Sequence, residues 1–253
     1  MIDAIRSEWI KLRTARSNLV LAALGIGIPL VIATLAAALG DFGGADGRDT
    51  FQGTVLLPAY LCVFLSGVVG VLSIASEYRH NTIRVTFTSE ARRSRVLGAK
   101  VIVATLFGTG MGLVAQLLCF GVAKAILSSK DIALAFDHPG ENLSGFLGQI
   151  ALCGLFTLAG FGIGAILRQP AGAIPFLLLW PLIGESVILR LVFGLAGAEG
   201  AAKWFPFIEG LRLPVTGDAG SDVLGRVSAG LYFGGVVLVL VGIGWSLVER
   251  RDA

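Results

Sequence analysis

Six long apolar stretches dominate what this sequence can fold into. Five of them hold more than 20 residues without Asp, Glu, Lys or Arg, and the remaining one is interrupted by Glu185 and Arg190. A helix that crosses a bilayer needs about 20 apolar residues, and the stretches lack the alternation typical of membrane β-strands. The sequence therefore predicts an all-α integral membrane protein whose six transmembrane helices cover 19–39, 54–75, 101–123, 146–167, 171–192 and 228–248.

The composition excludes an ordinary water-soluble enzyme. Charged residues make up only 15% of the chain, against about a quarter in soluble proteins. The three cysteines, Cys62, Cys119 and Cys153, all lie in apolar stretches and form no metal-ligand spacing. We expect them to be core residues, and we expect no metal site.

The distribution of charge predicts the orientation in the membrane. The first apolar stretch could be a cleaved signal peptide, but its length and its polar lead of 18 residues favour a retained span. With six spans, the side that carries both termini holds 13 of the 20 Lys and Arg residues. Basic residues concentrate on the cytoplasmic side, so we expect both termini of this multi-pass protein in the cytoplasm.

The N-terminal segment 1–17 is predicted to form an amphipathic helix at the membrane interface. Ile2, Ile5, Trp9 and Leu12 fall on one arc at 100° per residue, with charged residues outside it. Trp9 is the expected interfacial anchor. The alternative is a flank that only orients the chain in the membrane.

The longest predicted cytoplasmic segment, 77–95, combines arginines with exposed apolar residues. Ile83, Val85 and Phe87 alternate with polar residues, a pattern that by itself favours a short extended piece. A loop that only orients the protein has no need of such apolar residues in water. The segment therefore suggests a docking surface for another protein.

Two motifs resemble a known family. The opening Ser7-Glu8-Trp9-Ile10-Lys11-Leu12-Arg13-Thr14 is similar to the start of permease subunits of bacterial ATP-binding-cassette (ABC) exporters of the second type. Glu77-Tyr78-Arg79-His80-Asn81-Thr82-Ile83-Arg84, followed by Arg92-Arg93, resembles the loop after their second span. The family's usual glycine is Asn81 here, and Asn also tolerates the left-handed backbone region.

The resemblance implies a single transmembrane permease domain over 1–253. It also implies a mechanism in which a separate subunit drives transport with ATP. The segment 77–95 would form a coupling helix that docks into a separate nucleotide-binding subunit, which binds ATP and Mg. A second permease copy or homologue would complete the transporter in the bacterial inner membrane. The implied ATPase-coupling residues are Glu77, Tyr78, Arg79, His80, Thr82, Ile83, Arg84, Phe87, Arg92 and Arg93.

The chain is not expected to hydrolyse ATP or to bind a cofactor itself. A phosphate-binding loop needs Gly-Lys followed by Ser or Thr, and none of the five lysines follows a glycine. His80 and His138 lie in loops predicted on opposite sides of the membrane, so they cannot share a catalytic site. No nucleic-acid partner is expected from a net charge of +3.

The fifth apolar stretch is short before Glu185, which places that carboxylate near the outer leaflet. Pro181 and Gly184 can break the helix there, and the resemblance implies short re-entrant helices within an outer segment, 186–227, with Trp204 at the interface. Glu185, Arg190 and, in the third span, Gln116 are candidate gate or pathway residues. The favoured alternatives are that Glu185 pairs with Arg190 or reaches headgroup water, and that Gln116 hydrogen-bonds a neighbouring helix.

These observations favour a permease subunit that exports a hydrophobic or amphiphilic substrate such as a lipid, a peptide or a drug. Export, rather than import, follows from the resemblance alone. Two alternatives remain open. One is a non-transporting immunity or lipid-binding membrane protein, and the other is a secondary transporter, for which the sequence offers only one intramembrane carboxylate, Glu185.

Overall fold

The computed structural model describes residues 2–41, 47–79, 82, 93–132, 134, 139–194, 203–215 and 224–251. Within those ranges every regular element is helical. Six of the helices are long and apolar enough to cross a membrane, which confirms the predicted fold class. They run over Arg16–Leu39, Asp49–Arg79, Ser94–Ser128, Asn142–Leu167, Pro170–Ile188 and Arg226–Arg250.

Several helices extend beyond the apolar stretches that predicted them. In chain order the α-helices are α1 (Ile2–Thr14), α2 (Arg16–Leu39), α3 (Gly47–Phe51), α4 (Leu57–Arg79), α5 (Arg93–Ser128), α6 (Pro139–Leu167), α7 (Pro170–Leu179), α8 (Ser186–Ile188), α9 (Pro206–Leu211) and α10 (Arg226–Arg251). A π-helical turn, Gln52–Leu56, joins α3 to α4. The helix that carries the third span, α5, thus begins at Arg93, inside the predicted docking segment.

The core of the bundle lies between α4 and α6, which are the most deeply buried spans. Their close approach depends on glycine. A Cβ added at Gly160 would lie 2.0 Å from the carbonyl oxygen of Gly67, and one at Gly70 would lie 2.0 Å from that of Thr157. Helices associate in lipid largely through such close packing of small residues. Glycine therefore allows the backbones of α4 and α6 to pack in direct contact.

The fifth span does not break at Pro181 and Gly184. After α7 the backbone continues as a π-helix over Trp180–Glu185, then as α8 and a second π-helical stretch, Leu189–Gly194. Pro181 has no backbone N–H to donate. The wider π-helix, in which each N–H bonds to a carbonyl five residues back, accommodates this missing donor. The helix thus carries Glu185 without ending there.

Candidate functional site

Four charged side chains meet at the end of the bundle that is predicted to be cytoplasmic. Lys100 Nζ lies 2.6 Å from Glu8 Oε2 and 2.6 Å from Glu77 Oε1. Lys11 Nζ lies 2.7 Å from Glu8 Oε1 and 3.2 Å from Glu77 Oε1. Each lysine bridges both carboxylates, and we call Glu8, Lys11, Glu77 and Lys100 the charge cluster.

The charge cluster joins three helices that are far apart in sequence. Glu8 and Lys11 come from α1, where a spacing of three residues puts them on the same face. Glu77 is in the last turn of α4, and Lys100 is in the third turn of α5. The cluster therefore fixes the N-terminal helix against the second and third spans.

The two lysines of the charge cluster differ in burial. The side chain of Lys100 is only 1% exposed, whereas that of Lys11 is 47% exposed. Burial alone would lower the pKa of Lys11, but its hydrogen bond to Glu8 and the charge of Glu77 outweigh that effect, and the pKa is raised. Removing one partner from a buried pair leaves an uncompensated charge, so the cluster constrains the positions of all three helices.

Some predicted coupling residues lie beside this cluster. Glu77, Tyr78 and Arg79 are helical, because α4 continues to Arg79. The guanidinium carbon of Arg168, in the short link between α6 and α7, lies 4.8 Å from the centroid of the Tyr78 ring. The ring and cation are close enough for a cation–π contact, which links the end of the second span to the turn before the fifth.

The remaining coupling residues are only partly covered by the structure. Thr82 donates a 3.0 Å backbone hydrogen bond to the carbonyl of Glu77. The backbone of Arg93 begins α5. Five predicted coupling residues lie outside the described residues: His80, Ile83, Arg84, Phe87 and Arg92. The segment they belong to starts and ends on helices that the charge cluster holds together.

At the opposite end of the bundle, the side chain of Glu185 contacts the backbone of α9. Its carboxylate accepts hydrogen bonds from the N–H of Phe207 at 3.3 Å and of Ile208 at 2.8 Å. These are free N–H groups of the first turn of α9, which a carboxylate satisfies well. The side chain of Arg190 lies outside the described residues. Glu185 is buried, so it holds α9 against the fifth span.

Further polar contacts hold the segment around α9. The hydroxyl of Tyr60 donates a 2.6 Å hydrogen bond to the carbonyl of Leu211. The Arg226 guanidinium donates to the carbonyl of Leu213 and to the Ser144 hydroxyl. These contacts could not be predicted from the sequence, because their acceptors are mainly backbone carbonyls of an irregular segment.

Gln116 does not make the expected helix-to-helix hydrogen bond. It is fully buried in α5, and neither its side-chain oxygen nor its nitrogen has a hydrogen-bond partner. Its role as a pathway residue stays a prediction.

The two predicted tryptophan anchors differ in their surroundings. Trp9 is 41% exposed and packs edge-on against Phe107, with ring centroids 6.2 Å apart. Trp204 is 67% exposed. Both leave an indole surface for the membrane interface, and Trp9 also fixes α1 to the third span.

Sequence reasoning missed the charge cluster. Glu8 and Lys11 were expected to face away from the apolar arc of α1, yet Glu8 is only 6% exposed. A signal was present in Lys100, which directly precedes an apolar span and so needs a carboxylate close by when buried. Nothing in the sequence identified Glu8 as one of its partners.

The chain matches a known protein family. A family model described as ABC-2 family transporter protein matches residues 4–183, from α1 into the fifth span. A comparison with curated proteins finds no match.

Proposed function

Because the chain belongs to the ABC-2 family of transporter proteins and is a permease component of an ABC transporter, we propose that it pairs with a separate ATPase subunit and exports a hydrophobic or amphiphilic substrate. Its own role is to form the transmembrane pathway together with a second permease copy or homologue. The ATPase binds the segment between α4 and α5, on the cytoplasmic side of the bacterial inner membrane. ATP and Mg bind to that partner and not to this chain.

The charge cluster carries this proposal. A partner protein that moves the segment 80–92 also moves the helix ends on either side of it. Those two helices, α4 and α5, are joined by the contact between Glu77 Oε1 and Lys100 Nζ at 2.6 Å. Glu8 ties them to α1 as well. The cluster would thus convert a movement of this segment into a joint movement of the second and third spans.

The proposal is tested by disabling the docking segment without touching the cluster. The double variant Arg84→Ala/Phe87→Ala removes one cation and one aromatic side chain. We expect the purified chain to lose the copurifying Mg-ATP hydrolysis while its thermal unfolding stays the same. The matched control is Lys203→Ala/Trp204→Ala at the other end of the bundle, where Lys203 lies 5.8 Å from the Trp204 ring. Equal ATP hydrolysis in the docking variant and the wild type would contradict the proposal.

A further inference from the structure

A cavity of about 690 Å³ lies next to the charge cluster, between α1 and the ends of α2, α4 and α5. One part of its wall is apolar and is formed by residues such as Leu12, Leu72 and Val96. Another part is polar and includes Asp3, Asn18 and the four residues of the cluster. The cavity therefore offers both a polar and an apolar lining to one ligand.

Two buried acceptor atoms in this lining lack a hydrogen-bond donor. They are Oδ1 of Asn18, a residue 6% exposed, and Oε2 of Glu77, a residue 9% exposed. Asn18 uses its amide nitrogen on the carbonyl of Leu12, at 3.3 Å. Native proteins satisfy nearly all buried polar atoms, and an unmet acceptor costs free energy. A ligand that donates N–H groups would remove that cost.

The charge of the lining favours a cation. Three carboxylates face the cavity, from Asp3, Glu8 and Glu77, against two ammonium groups, from Lys11 and Lys100. The lining thus carries one more negative charge than positive charges. An added cation that donates hydrogen bonds would neutralise the excess and satisfy the free acceptors at once.

We propose that this cavity binds the primary ammonium headgroup of an amphiphile, whose apolar part lies along Leu12, Leu72 and Val96. The ammonium group donates to Asn18 Oδ1 and Glu77 Oε2. Two sources supply this chemistry: an ethanolamine phospholipid of the surrounding leaflet, or a free long-chain amine. In the phospholipid case the half-exposed Lys11 is placed to meet the phosphate.

Binding to the purified full chain tests the headgroup chemistry. Native mass spectrometry compares dodecylamine with dodecyltrimethylammonium, which has the same chain and charge but no N–H. We expect dodecylamine to bind about tenfold more tightly or better, because dodecyltrimethylammonium can donate neither of the two proposed hydrogen bonds. A parallel arm compares phosphatidylethanolamine with phosphatidylcholine. Retention of the ethanolamine lipid supports a lipid source, and binding of the amine alone supports a free amphiphile. Equal binding of the donor and non-donor partner in both arms would overturn the proposal.

Two variants locate the binding in this cavity. Asp3→Asn removes the excess charge at the exposed rim, and we expect roughly threefold weaker amine binding. Its control is Asp49→Asn, an exposed carboxylate at the other end of the bundle.

Ala4→Trp fills the cavity from α1, and its control Ile10→Trp adds the same ring at an exposed position that does not line the cavity. Amine binding that survives Ala4→Trp unchanged would place the site elsewhere and refute the proposal.

The inference is separable from the proposed function. The docking variant Arg84→Ala/Phe87→Ala abolishes ATPase association if the permease proposal is correct, whether or not the cavity binds an amine. Amine binding needs no ATPase and is measured on the isolated chain. A failure of either experiment is therefore assigned to its own proposal.

Discussion

At the scale of single residues, Lys100 has the most demanding environment in the described part of the chain. Its ammonium group is almost fully buried and lies 2.6 Å from two carboxylates, each from a different helix. Lys11 contacts the same carboxylates but remains half exposed. Lys11 therefore cannot replace the charge of Lys100 if that residue is removed, because a solvated ammonium group stabilises a buried carboxylate less than a buried one does.

Replacing Lys100 should destabilise the protein strongly. In Lys100→Met, Glu8 and Glu77 stay buried with less positive charge near them, and we expect a loss of about 3–5 kcal/mol. The measurement is thermal or denaturant unfolding in detergent micelles. The control, Lys124→Met, removes an exposed lysine from the same helix. The double variant Lys100→Met/Glu77→Gln should recover part of the stability, and a loss no larger than that of Lys124→Met would contradict the role of the cluster.

Glu209 should make stability depend on pH. It is fully buried in α9, and burial raises the pKa of its carboxyl above 4.5 despite the opposing charge of Arg212. The folded state then binds the proton more tightly than the unfolded state. Its stabilising contribution is complete below about pH 4.5 and is lost as the pH rises through the raised folded-state pKa.

The corresponding variant is Glu209→Gln, which is uncharged at every pH. We expect it to unfold at a higher temperature than the wild type at pH 7, with the difference shrinking as the pH falls towards 4.5. Unfolding curves between pH 4 and 7 test this. The matched control is Glu249→Gln, at an exposed position of α10. A constant difference across the range would mean that the pKa of Glu209 is the same in the folded and unfolded states, which would contradict the raised pKa.

At the scale of helices, the crossing of α4 and α6 is set by glycine. The position of a Cβ at Gly160 is occupied by backbone, 2.0 Å from the oxygen of Gly67, so no side-chain movement can make room. We expect Gly160→Ala to cost about 1–3 kcal/mol, as overpacking does in other cores. Gly110→Ala is the control, because nothing lies within 4 Å of the added Cβ. Unfolding in micelles compares the two, and equal stability would show that the helices can separate cheaply.

The elements differ in how far the sequence determined them. Spans such as 101–123 were predictable because uninterrupted apolar residues have few alternatives in a chain of this composition. The helix expected to run from an N-cap at Ser89 through Arg92 and Arg95 into the third span is seen from Arg93 onwards, although the exact ends of helices depend on packing. The same holds for the site. The docking segment is a prediction from local composition, whereas the pairing of Glu8 with Lys100 joins positions 92 residues apart and only the fold reveals it.

At the scale of the whole molecule, the two ends of the helical bundle are held by different polar contacts. The charge cluster closes one end, and the contacts of Glu185, Tyr60 and Arg226 hold α9 at the other. The cluster end also carries most of the basic residues, for which the expected location is the cytoplasm. The proposed coupling to an ATPase requires this orientation, since ATP is available only on that side.

Labelling of introduced cysteines decides the orientation. The native cysteines, Cys62, Cys119 and Cys153, are buried in the structure, so they give little background with a membrane-impermeant maleimide. We expect Arg84→Cys to react only after the membrane is opened, and Ser228→Cys, exposed at the start of α10, to react in intact cells with a permeable outer layer. The reverse pattern would place the docking segment outside the cell. The charge cluster and the fold would be unaffected, but a cytoplasmic ATPase could not contact the segment. A permease that depends on such an ATPase could not work in that orientation.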